Sequence, residues 1–282
     1  MELYASSSLL IGNLILAHAL FFKRFTLQSH VFSLFATYGI TDRWDVNILL
    51  PFVFTHFKAR AQAVLNNESG TDTHAFDLAT GATVLTRSVS KNPVGIGDLM
   101  LRTKYHLVDN NGFHLAAGAT LRLATGDEKD FQGLGDNILT PFLALSQEYG
   151  RFHFHATGGI DLNWDASDRN RARYAAGVAF ALLDQLVLNV GVIGSSCLKT
   201  DRLSVKVPQF VNVSGTSEAT PTTLPVTRTF SNKIRPDIVD LNAGFKANIY
   251  GSLVGYASVF LPLNNDGMRA DVIPAAGMEV SF

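Results

Sequence analysis

The chain has 282 residues, of which 47% are hydrophobic and 17% charged, and its formal net charge is −1. A near-neutral chain without a basic run is not a general nucleic-acid binder, so no nucleic acid is expected as a partner. No stretch of about 18 uninterrupted apolar residues offers a helical membrane span, and the single Cys197 excludes an internal disulfide while leaving the compartment open.

The apolar run from Leu9 to Phe22 does not read as a signal peptide. Met1-Glu2 supplies no positive charge, Asn13 and His18 interrupt the run, and Lys23-Arg24 follow it instead of preceding it. The run is read as a first strand over 9–22, with Lys23 to Thr26 as the connection to a second strand over 26–39. If the protein is exported, its signal peptide is absent from this chain.

Gly39 to Arg43 reads as a turn. After it Trp44, Val46, Ile48, Leu50, Phe52 and Phe54 alternate with Asp45, Asn47, Leu49, Pro51, Val53 and Thr55. His56 to Pro93 is long and polar, a loop. The clearest copy of the pattern runs from Gly97 to Ala124. Leu99, Leu101, Thr103, Tyr105 and Leu107 face one way, and Asp98, Met100, Arg102, Lys104 and His106 the other. A turn over Val108 to Gly112 leads to Phe113, Leu115, Ala117, Ala119, Leu121 and Leu123, which oppose His114, Ala116, Gly118, Thr120 and Arg122.

Beyond the polar loop at 125–136, a strand-like stretch at 137–148 alternates less cleanly. Phe152, Phe154, Ala156, Gly158, Ile160, Leu162 and Trp164 then oppose Arg151, His153, His155, Thr157, Gly159, Asp161 and Asn163. Tyr174 to Leu182 opposes Arg171, Arg173 and small residues, and 185–195 is again strand-like. After a Ser-, Thr- and Pro-rich loop at 196–236, Val239 to Ala247 opposes Asp240, Asn242, Gly244, Lys246 and Asn248. A strand near 252–263 follows. The last strand sets Ala270, Val272, Ala276, Met278, Val280 and Phe282 against Arg269, Asp271, Ile273, Ala275, Gly277, Glu279 and Ser281.

Period two gives each strand one apolar and one polar face. In a soluble sandwich the apolar face packs on a second sheet; in a membrane barrel it meets lipid, and the polar face lines a wet lumen. The pattern yields about twelve strands of roughly ten residues, the length a tilted membrane strand needs. Tight turns near 39–43, 108–112, 148–150, 183–185 and 250–251 alternate with longer connections at 23–26, 56–93, 125–136, 165–170, 196–236 and 264–267. An even strand count, short periplasmic turns and longer external loops mark bacterial outer-membrane barrels. Trp44, Tyr105, Phe113, Phe152, Trp164 and Phe282 fall near the ends of the apolar rows, where rings favour the membrane interface.

Several stretches resemble a known family. They are Tyr38-Gly39-Ile40-Thr41-Asp42-Arg43-Trp44-Asp45-Val46, Leu50-Pro51-Phe52, and Gly95-Ile96-Gly97-Asp98-Leu99 with Lys104-Tyr105-His106-Leu107. Ala124-Thr125-Gly126-Asp127 and Gly133-Leu134-Gly135 complete the set. Together they resemble the outer-membrane transporters of the meta-pathway of phenol degradation, in which the fourth stretch usually begins with Pro; Ala124 departs from that. The resemblance spans Tyr38 to Trp164, about half the chain. It implies an outer-membrane barrel with a transport role, and the idea of aromatic cargo rests on it alone.

The expected lumen face carries Asp45, Asp98, Arg102, Lys104, His106, His114, Arg122, His153, His155, Asp161, Arg171, Arg173, Asp240, Lys246, Arg269, Asp271 and Glu279. Such a mixed set either cross-links as an internal salt-bridge network or lines a pore that touches solutes. His153 and His155, two apart on one face, can hold a metal only with a third ligand such as Asp161, His106 or His114, and the spacing alone lacks metal-site specificity. No metal and no cofactor are therefore expected. Thr125 to Asp130 lacks the alternating acidic ligands of a calcium loop. Without a Gly-x-Ser-x-Gly elbow, phosphate loop or dinucleotide fingerprint, no catalytic residue is expected and the chain is not read as an enzyme.

The expectation is one all-β domain over residues 1–282. It is a single antiparallel transmembrane β-barrel in a bacterial outer membrane, with extracellular loops near 56–93, 125–136 and 196–236. Its partners are outer-membrane lipid, a small-molecule solute, and the barrel-assembly machinery through the C-terminal strand ending in Phe282. The expected role is passive uptake of small, aromatic or apolar molecules through a charged lumen. The alternatives are a structural or adhesive barrel with a plugged lumen and, third, a soluble β-sandwich.

Overall fold

A computed structural model describes residues 2–11, 14–66, 79–80, 82, 84–199, 201–205, 228–234, 237–266 and 270–281. The strands are β1 (Glu2–Ile11), β2 (Leu14–Thr41), β3 (Trp44–Asn66), β4 (Val84–Lys91), β5 (Val94–Ile96), β6 (Leu99–Asn110), β7 (Phe113–Leu123) and β8 (Ile138–Tyr149). They continue with β9 (Phe152–Asn163), β10 (Arg171–Leu183), β11 (Leu186–Cys197), β12 (Asp201–Val205), β13 (Arg228–Ile234), β14 (Ile238–Tyr250), β15 (Leu253–Pro262) and β16 (Ile273–Val280). Two single-turn 3-10 helices, Glu128–Asp130 and Ser167–Arg169, lie in the connections.

One antiparallel sheet follows the order β1-β2-β3-β6-β7-β8-β9-β10-β11-β14-β15-β16, with β4 and β5 both on β3 and the β12–β13 hairpin separate. Strands of the path pair in chain order, with β4–β5 and β12–β13 as excursions from it, and the sheet curls into a barrel wall. Among the described residues no ladder joins β16 to β1 or β2.

Parity of the connections follows from that order. Two-residue turns at 42–43, 111–112, 150–151, 184–185 and 251–252 share one end of the wall, and the longer connections at 124–137 and 164–170 lie at the other. Asn111 and Gly112 both have positive φ, 48° and 78°. That is the type I′ signature, whose twist matches the flanking strands.

Three expectations are corrected. Lys23 to Thr26 is not a connection: these residues lie inside β2, where Lys23 stands opposite Ala61 in β3, and β1 already pairs with β2 from Ile11 opposite Leu14. Lys-Arg-Phe-Thr contains no Gly, Pro, Asn or Asp, so nothing locally breaks the ladder. His56 to Pro93 is not loop throughout, because β3 runs on to Asn66 and pairs with β4 from Phe57–Lys91 to Val64–Val84. The Val-, Thr- and Ser-containing β4 suits a pleated edge. The last strand begins at Ile273, which leaves Asp271 ahead of the wall.

Burial excludes a soluble sandwich. Among the described residues the buried hydrophobics are Val53, Ile138 and Cys197, while Leu143 is 56% and Met278 68% exposed. Ile48, Leu101, Phe154, Ile160 and Phe245, all on the expected apolar rows, are exposed as well. A soluble protein does not leave so wide an apolar surface in water. Here a single sheet turns that surface outward.

Candidate functional site

Among the described residues, two open cavities lie on the polar face of the wall. One, of about 380 Å³, lies toward the turn end and is lined by Asp45, Lys104, His106, His114, Ser146 and His155 among others. The second, of about 510 Å³, reaches toward the loop end past Arg102, Thr120, Arg122, Thr140, Phe142, Asp161 and Arg173. Alternation on β3 and β6 to β10 produces this face directly, since every second residue of those strands points to it.

Pairing across strands orders the charges. Asp161 is buried, and its two oxygens accept from Arg173 Nε at 2.7 and 2.6 Å, with Thr140 Oγ1 donating at 2.7 Å. Arg122, half-buried, feels the charges of Asp98, Asp161 and Arg173. Arg171 Nη1 donates to Ser195 Oγ at 3.2 Å. Lower on the wall, Lys104 pairs with Asp45 at 3.1 Å. Arg102 Nε donates to Thr120 Oγ1 at 3.2 Å, and its guanidinium lies 5.7 Å from the Phe142 ring centroid. On the far side, Lys246 and Glu279 approach to 3.6 Å across β15, and Asp240 stands opposite Ile193 and Pro262.

Phe142 was not legible as a site residue. Its ring lies against Gly118, where an added Cβ would come within 2.4 Å of it, and its Cβ is 3.0 Å from the same position on Gly159. Two glycines on neighbouring strands thus make room for an inward ring. Asn47, which donates to Thr37 Oγ1 at 2.7 Å, and Thr140 were also passed over. Uncharged inward residues carry no signal beyond alternation.

Asp98 acts on the rim. Its carboxylate accepts from the backbone N–H of Gly126 at 3.2 Å and of Leu134 at 2.9 Å, so it fastens the 124–137 connection to the wall. The acidic residues of that segment are used locally. Asp127 accepts from Lys129 N at 2.8 Å, Asp130 pairs with Lys91 at 3.3 Å, and Asp136 accepts from Arg169 at 2.9 Å and from Asn163 at 2.8 Å. An added Cβ on Gly133 would meet Asp98 Oδ1 at 2.3 Å and Gly126 backbone at 2.9 Å. Gly133→Ala is therefore expected to release this segment at a cost of about 1–3 kcal/mol. Limited proteolysis checks it: cleavage within 124–137 accelerates while the folded wall persists.

The histidines divide into two groups. His153 Nδ1 faces Glu148 Oε1 at 3.5 Å, and His155 lies over Gly177. His106 and His114 instead come together, with ring centroids 5.4 Å apart. Trp44, Tyr105, Phe113 and Phe152 stand exposed at the turn end, and Trp164 at the loop end. The Trp44 indole N–H donates to Thr103 Oγ1 at 2.7 Å. Asp271 is exposed ahead of β16, and Arg269 and Phe282 lie outside the described residues.

Comparison with known proteins adds the following. The family model "Putative MetA-pathway of phenol degradation" matches residues 20–196. The crystal structure of the COG4313 outer membrane channel from Pseudomonas putida F1 is similar at 12% sequence identity and a TM-score of 0.43, over 93% of this chain and 80% of that one. No curated protein matches the sequence.

Proposed function

The chain belongs to this phenol-degradation family, and from that premise we propose that it is a bacterial outer-membrane channel for passive uptake of small molecules, aromatic ones among them. The observation that carries the reading is a single curled sheet with exposed apolar rows on one face and cavities lined by charge on the other. Lipid contacts the apolar rows, the exposed rings at both ends sit at the interfaces, and the solute passes along the polar face without energy coupling. The end of the wall that carries the extended β3–β4 pair and the connection at 124–137 faces outward, where function commonly resides in segments on a rigid scaffold. The strand that leads to Phe282 is the segment offered to the assembly machinery.

The wall also carries a sign. Arg102, Lys104, Arg122 and Arg173 line the larger cavity against Asp45 and Asp161, four cations to two carboxylates. With Phe142 beneath Arg102, this favours anionic and flat solutes, a small aromatic carboxylate above a cation. The test is single-channel conductance of the folded protein in a planar bilayer. Stable steps that benzoate partly blocks are expected, and a heat-modifiable barrel that never conducts would overturn the channel. That second outcome favours a structural barrel with a plugged lumen, to which the Arg173–Asp161 and Lys104–Asp45 pairs also lend themselves.

A further inference from the structure

We propose that His106, Asp109 and His114 form a binding site for one divalent transition-metal ion of the zinc type, on the inner wall beside the Asn111-Gly112 turn. The ladder between β6 and β7 pairs His106 with Ala116 and then Val108 with Leu115, so Leu107 is an extra residue on the β6 side. Strict alternation from His106 would send Asp109 to the lipid-facing side. The bulge reverses its parity and sets it opposite His114, on the same face as both imidazoles. Bulges commonly re-aim a side chain in this way.

The donor geometry suits an ion. One ligand atom from each of the three residues lies within 4.8 Å of the others, and His114 Nδ1 stands 3.4 Å from Asp109 Oδ1. Donors around a tetrahedral zinc with bonds of about 2.0–2.1 Å are roughly 3.3 Å apart. The His114–Asp109 pair already has that separation, and His106 brings a ligand atom within 4.8 Å of both. His106 Nε2 is shielded from solvent and has no hydrogen-bond partner among the described residues. A shielded polar atom of this kind costs stability unless it is satisfied, and coordination satisfies it. The site opens on the smaller cavity, which leaves a position for water. Two imidazoles and one carboxylate select zinc-like ions over calcium or magnesium, which prefer all-oxygen sites.

The site does not depend on whether the barrel conducts. The experiment is equilibrium dialysis of the full chain, folded in detergent micelles, against ZnCl₂ with and without excess CaCl₂. Heat-modifiability on gels confirms folding of each variant. The expected result is one zinc per chain that calcium does not displace. Affinity should fall more than about tenfold in His114→Ala, and likewise in the milder His106→Gln and Asp109→Asn, should the first not fold. His153→Ala, whose ring belongs to Glu148, should bind zinc unchanged. Folded wild-type protein that retains no zinc overturns the proposal, as does binding that survives loss of both His106 and His114.

Discussion

Replacing Arg102 and Arg122 together by alanine is expected to bring the anion-to-cation permeability ratio of the channel down about fivefold, to near unity. Both side chains line the larger cavity, where four cations face two carboxylates; their removal leaves two of each. A unit charge acting on an ion roughly 8 Å away through water contributes about 0.5 kcal/mol, which screening at 0.1 M cuts to about 0.25 kcal/mol. Two such charges favour an anion by about 0.5 kcal/mol and disfavour a cation by as much, so the ratio shifts by about 1 kcal/mol, or about fivefold. Reversal potentials in a KCl gradient read the ratio. They should be taken at low salt, because the Debye length is about 10 Å at 0.1 M and about 3 Å at 1 M. The wild-type preference should fade as salt rises, and the double variant should show none at any salt. Each single variant should fall between, since among the described residues neither guanidinium has the direct carboxylate partner that Arg173 has in Asp161. An unchanged ratio in the folded double variant would mean that ions do not pass this wall.

How much of this was legible depends on where alternation is clean. β6, β7, β9 and β10 were readable because charged residues recur at every second position against apolar ones, as in Arg102, Lys104 and His106 opposite Leu101, Thr103 and Tyr105. β8 was blurred because inward Phe142 and Ala144 look no more polar than outward Pro141 and Leu143. The Lys23-Arg24 pair looked like punctuation, yet two charges do not stop a ladder that has twenty-odd backbone partners along β2 and β3. Asp109 reads as part of the turn at 108–112, whereas it belongs to β6, which runs on to Asn110. Its face depends on a bulge, and a one-residue slip reverses everything beyond it. Pairings such as Arg173 with Asp161 require the register, which two-residue turns set in space and not in composition. The faces were therefore readable from the chain, whereas the partners were not.

The Arg173–Asp161 pair should respond asymmetrically to truncation. The Asp161 side chain is 3% exposed and that of Arg173 46%. Arg173→Ala strands a buried carboxylate with Thr140 Oγ1 as its remaining close donor, a change of the kind that costs about 3–5 kcal/mol when a buried charge loses its partner. Asp161→Ala instead leaves a guanidinium that already reaches the cavity water, so its loss is that of one hydrogen-bonded charge, about 1–3 kcal/mol. Arg122 then repels Arg173 more strongly, but water in the cavity screens two cations better than the protein wall solvates a lone carboxylate. The double variant, lacking both charges, should be more stable than Arg173→Ala alone. Urea unfolding of the barrel in lipid vesicles, followed by Trp44 and Trp164 fluorescence, gives the three midpoints. The same Asp161→Ala protein should show a higher anion preference than wild type, because the larger cavity then holds four cations against one carboxylate. If Asp161→Ala proves the less stable of the two single variants, the pair is not held together by burial of the carboxylate, and its place in the wall must be explained through Arg122 instead.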